Sequence, residues 1–173
     1  MIEVYPSVFV GSGDDYDLLR ASNETGKPMF DGWLVISASK EPWHREALGY
    51  TGRAAPNTHP EYLVAVRPNR LILNLIDADN PAYIPDEIVH TALDTIDTAL
   101  GAKTKVLIHC NQGQSRAPTL ALLWLRWGKA SVVSYYLRKM SYDDAAEAFR
   151  GIYPPFAPAG GMEGYARAHW EDK

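Results

Sequence analysis

The stretch VLIHCNQGQSRAP, residues 106–118, decides how the rest of the chain is read. With Lys105 in front, KVLIH is a short apolar run of the kind that forms a buried strand. The spacing predicts a strand ending at His109, a six-residue loop from Cys110, and an apolar helix from about Ala117 to Trp127. A strand that passes through so short a loop into a helix lets the N–H groups of residues 111–116 converge beside the Cys110 sulfur. Such a nest at the positive end of a helix binds a tetrahedral oxyanion without help from the protein's overall charge. Gly113 suits a position with no room for a side chain or with positive φ. Arg116 stands six residues after the cysteine, where its planar fork can fold back onto two oxygens of the anion. The same dipole and guanidinium favour thiolate over thiol at Cys110. Ser115 is placed to give its hydroxyl proton to the sulfur. His109 is read as ordering the loop by hydrogen bonding rather than as a base. Asn111, Gln112, Gly113, Gln114, Ser115 and Arg116 make up the expected anion-binding set, with Gln112 and Gln114 facing solvent.

Outward from this segment, strands and helices alternate. Residues 2–10 (IEVYPSVFV) are rich in β-formers and end at the turn signal Gly11-Ser12-Gly13. Residues 13–31 are polar and loop-like, with room for one short helix. WLVIS, 33–37, and LILNLI, 71–76, read as strands. Between them, residues 40–69 carry Pro42, Gly49, Gly52, Pro56, Pro60 and Pro68, which argues for an irregular excursion with at most one short helix. After Pro85, residues Ile88, Val89, Ala92, Leu93, Ile96 and Leu100 share one face of a helix over 86–100, with Asp86 and Glu87 in its first turn and Gly101 at its end. Helical patterns recur near 131–139, 142–150 and 162–170. The expected class is α/β, with a central, mostly parallel sheet flanked by helices.

His109-Cys110-x-x-Gly113-x-Ser115-Arg116 resembles the phosphate-binding signature of the protein tyrosine phosphatase superfamily, in its compact dual-specificity branch. VYPSVFVGS resembles the opening strand pair of that branch, and the helix 86–100, the strand 105–109 and SYDDAAEAFRGIYPPFAPAGGM fall where it would place them. Residues 40–69 and 128–140 have no counterpart that can be assigned. Ala117 stands where the family usually has Ser or Thr. The resemblance implies a cysteine-dependent phosphatase that works through a phosphocysteine intermediate, with no metal or other cofactor. It also implies a general-acid aspartate on a loop about thirty residues upstream of the signature. Asp77 lies 33 residues before Cys110 and Asp79 lies 31 before it. Asp77, which directly ends LILNLI, is preferred, and Asp79 stays open as the alternative. Phosphorylated proteins or peptides are the implied substrates. RNA 5′ ends and phosphoinositides remain as other substrates, and a non-catalytic phosphoprotein-binding module as another role. Trp43, His44, Arg45, Tyr50, Arg53, His59, Tyr62 and Arg67 of the excursion either wall the site or belong to a solvated insertion.

Composition bounds the rest. At 173 residues, 46% hydrophobic and 22% charged, the chain suits a single domain over 1–173 with a loop-rich insertion at about 40–69. A net charge of −4 points away from nucleic-acid and anionic-membrane binding, so an anion site must be made locally. One cysteine excludes an internal disulfide and a multi-thiolate metal centre. MIEVYPSVFVG lacks the basic start and long apolar core of a secretory signal, and the apolar run 120–127 is too short to span a bilayer. A reducing, cytoplasmic location without membrane attachment is the resulting expectation. Composition says nothing of oligomeric state.

Overall fold

The computed structural model describes residues 1–22 and 30–171; the loop reading of 23–29 lies outside them. Six strands form one sheet: β1 (Ile2–Tyr5), β2 (Val8–Gly11), β3 (Trp33–Ser37), β4 (Val64–Arg67), β5 (Arg70–Leu73) and β6 (Lys105–His109). Their order across the sheet is β1-β2-β6-β3-β5-β4. The pairs β2–β6, β6–β3 and β3–β5 are parallel. Hairpins β1–β2 and β4–β5 make both edges antiparallel. The sheet is therefore mixed, with the parallel centre that its alternating elements require.

Strand β6 sits in the middle with Val106, Leu107 and Ile108 fully buried. Its alternating side chains feed two cores. Val106 and Ile108 join the larger one, with Ile88, Ile96, Leu120, Trp124, Phe149 and Tyr165. Those residues come from α3 (Asp86–Gly101), α4 (Arg116–Trp127), α6 (Tyr142–Ile152) and α7 (Gly160–His169). Leu107 joins the smaller core on the opposite face, with Val35, Ile72, Tyr16 and Trp43. Tyr16 belongs to α1 (Gly13–Ala21), whose start is fixed by reciprocal bonds between Ser12 and Asp15. Two further helices, α2 (Arg45–Leu48) and α5 (Ser134–Leu137), have only four residues each. Every residue of α4 is buried, so the helix that starts at Arg116 is held on all sides.

Three boundaries depart from the sequence reading. The excursion 40–69 contains a strand: β4 pairs with β5 across the Pro68-Asn69 turn, where Asn69 has φ 58°. The run 71–76 is strand only as far as Leu73, although Asn74 N still donates to the Leu63 carbonyl and the Leu75 carbonyl accepts from Lys40 N. The pattern at 131–139 yields helix only over Ser134–Leu137. Among the described residues no helix is long and apolar enough to cross a membrane.

Candidate active site

The parallel strands β2, β6 and β3 end level with one another, Gly11 beside His109 and His109 beside Ser37. Clefts beyond the carboxyl ends of such strands are where open α/β sheets place ligands. Here the cleft is a cavity of about 290 Å³ lined by Asp77, Cys110, Asn111, Gln112, Gln114, Ser115, Arg116, Ala157 and Ala159. Cys110 lies at its floor, only 2% exposed.

The loop over this floor is shaped from outside. Asn111 O accepts from Gly13 N at 3.0 Å, Gln114 O from Ala157 N at 2.9 Å, and Gly113 O from the Tyr153 hydroxyl at 2.8 Å. In a trans peptide the next residue's N–H points opposite to the carbonyl. The amides of Gln112, Gln114 and Ser115 are thereby turned away from these anchors. Among the described residues, the N–H groups of 111–115 meet no acceptor. Gly113 makes the turn at φ 71°, and a Cβ there would lie 2.9 Å from the Gly11 backbone. That close approach and the positive φ explain the glycine.

Arg116 is 8% exposed and held by neutral acceptors. Its Nη1 donates to Ser39 Oγ at 2.8 Å and to the Leu75 carbonyl at 3.3 Å, and its Nη2 donates to Asn111 Oδ1 at 2.8 Å. A guanidinium carries five N–H donors, so one on Nε and one on Nη2 remain. Nε makes no hydrogen bond; the nearest charge is Asp77 Oδ2 at 3.6 Å. Donors left on both Nε and Nη2 suit a bidentate anion.

Of the two aspartates, Asp77 lines the cavity and Asp79 does not. Asp77 Oδ1 accepts the Ser115 hydroxyl at 2.9 Å, and Ser115 Oγ in turn accepts the Ala159 N–H at 2.9 Å. In this structure the Ser115 hydroxyl, expected to donate to the sulfur, donates to Asp77 instead. His109 also differs from expectation. Being one residue before Cys110, it faces the other side of the sheet, where its Nε2 meets Ser37 Oγ at 2.8 Å. Its ring stacks on Tyr16 at 4.6 Å and meets the edge of Trp43 at 4.5 Å. It therefore bonds to β3, not to the loop. Burial, reinforced by the Arg70 charge, holds its pKa down at about 3.

None of the excursion residues considered from the sequence lines the cavity. Trp43 packs on His109, His44 Nε2 lies 3.0 Å from the Glu61 carbonyl, and Arg45 and Arg67 pair with Glu41 and Glu61. Sequence reasoning missed Ser39, Tyr153, Ala157 and Ala159, which complete the site from remote segments with no spacing signal of their own. Among the described residues no group of three or more His, Cys, Asp or Glu side chains is placed to hold a metal ion.

No family model and no curated protein matches the chain. Solved structures do. Human DUSP28 superimposes with a TM-score of 0.58 at 17% identity, covering 99% of this chain and 92% of that one. The Yvh1 phosphatase domain from Chaetomium thermophilum gives 0.60 at 20%, covering 99% and 94%. A human tyrosine phosphatase-like serine/threonine/tyrosine-interacting protein gives 0.59 at 20%, covering 98% and 94%. The chain has the fold of the dual-specificity phosphatases, the branch that its signature resembles.

Proposed function

We propose that the protein is a cysteine-dependent phosphatase that hydrolyses phosphate monoesters, in particular phosphotyrosine and phosphoserine or phosphothreonine in proteins. One observation carries the reading: a buried cysteine, a loop whose amides meet no acceptor, and a buried guanidinium with two donors free of hydrogen bonds gather at one cavity. The Cys110 thiolate attacks phosphorus and the bond to the ester oxygen breaks. Asp77 gives its proton to that leaving oxygen. Water then attacks the phosphocysteine, the S–P bond breaks, and Asp77 takes the proton from the water, releasing inorganic phosphate. Loop amides and Arg116 stabilise the equatorial oxygens in both steps, the largest contribution expected of such a site. Asp77 is favoured over Asp79 because it lines the cavity with Cys110.

The test is Cys110→Ser assayed with phosphopeptides, 5′-phosphorylated RNA and phosphoinositide vesicles. Turnover is expected to vanish while binding of the dianion survives, with phosphopeptides the best substrates of the native chain. An active serine variant, or RNA or lipid as the preferred substrate, overturns the mechanism or the substrate class respectively. A second reading, a phosphoprotein-binding module without turnover, is favoured by the engagement of Asp77 with Ser115 and Arg116. A native chain that binds phosphopeptide but leaves an activated aryl phosphate intact would establish it.

A further inference from the structure

Tyr153 follows the end of α6 and precedes Pro154 and Pro155, a position outside the signature and far from it in sequence. The residue is 3% exposed, and its ring lies 6.1 Å from that of Phe149. Its hydroxyl donates to Gly113 O at 2.8 Å. Of the outward ties on Asn111, Gly113 and Gln114, this is the one made by a side chain; the other two come from backbone N–H groups. The Gly113–Gln114 peptide is trans, so fixing the carbonyl toward Tyr153 fixes the Gln114 N–H on the opposite side, toward the anion. Gly113 needs that external hold more than its neighbours, since a glycine at φ 71° has no side chain to bias its peptide plane.

We infer that Tyr153 is a positioning residue, whose hydroxyl locks the Gly113–Gln114 peptide so that the Gln114 N–H is presented to the phosphoryl group. The inference rests on the phosphatase reading of the cavity and names a residue outside its reacting set. Burial, followed by the negative charge of Cys110 and Asp15, pushes the phenol up to about 12, so it remains a donor over the working pH range.

The experiment compares Tyr153→Phe with Tyr142→Phe, which deletes another buried hydroxyl, one with no hydrogen-bond partner. Tungstate affinity is measured by calorimetry, p-nitrophenyl phosphate turnover by steady-state kinetics, and the tungstate-induced shift of each loop amide by 15N NMR. Tyr153→Phe is expected to bind tungstate about tenfold more weakly, the loss of one charge-assisted bond. Its kcat/KM should fall in parallel. The Gln114 amide should lose its tungstate shift while the Ser115 amide, whose peptide is held by Ala157, keeps it. Tyr142→Phe should match the native chain in all three. A Tyr153→Phe protein that melts earlier but keeps native tungstate affinity and the Gln114 shift overturns the inference. Native protein that binds tungstate without turnover overturns the enzyme reading alone; native protein that binds none overturns both.

Discussion

His109 stacks beneath the sheet as a fully buried, neutral ring, with a pKa near 3 against the ordinary 6.5. Between those values an unfolded chain binds a proton at this residue and the folded chain does not. Its contribution to stability is therefore complete above the unfolded pKa and is lost as pH falls. That loss amounts to about 1.4 kcal/mol per pH unit. Urea titrations at pH 7, 6 and 5 should show a steeper loss for the native chain than for His109→Gln; equal slopes would refute the neutral imidazole. Asp77 and Asp79 separate by leaving group. Asp77→Asn should lose about 100- to 1000-fold on phenyl phosphate but little on an activated aryl phosphate, and Asp79→Asn little on either. Gly113→Ala should cost about 2 to 3 kcal/mol in thermal or urea unfolding, because positive φ and overlap with the Gly11 backbone act together. At this scale the sequence showed Cys110, Gly113 and Arg116 through their spacing. It could not show where the Ser115 proton goes, since that is decided by Asp77 and the Ala159 amide arriving from remote segments.

Among the elements, the first turn of α7 sets the position of the loop that carries Asp77. Gly161 N donates to Ala78 O at 3.0 Å, and a Cβ on Gly161 would come within 2.1 Å of that oxygen. Gly161→Ala must therefore push the aspartate loop outward. Turnover of poor leaving groups should fall by about 100-fold, as misplacement of a reacting group by about 1 Å can cost. Tungstate affinity, which depends on the other loop, should hold; kinetics and calorimetry on one preparation check both. The long periodic elements were legible: residues 86–100 form the helix Asp86–Gly101, and 105–109 the strand Lys105–His109. Strand β4 was not, because four residues between Pro60 and Pro68 carry too little alternation to outweigh their breakers. Its strand state comes from pairing with β5, a contact outside the reach of local pattern.

For the whole molecule, the net charge of −4 sets a field that repels a phosphate dianion at long range, while the donors proposed to hold it are short-range. Salt screens the first far more than the second. Raising NaCl from about 50 to 500 mM should leave kcat/KM for p-nitrophenyl phosphate within about twofold. A fall of tenfold or more would show that a basic surface steers substrate. The anchors of the signature loop also have an implication for synthesis. Gly13 is translated before Cys110, whereas Tyr153 and Ala157 come only after the signature segment is complete. A nascent chain that has already exposed its thiol and guanidinium lacks two of the three ties, and domains close as units once their parts have emerged. The shape of the loop is therefore completed only once the chain has grown past Ala157, well beyond the segment that carries the thiol.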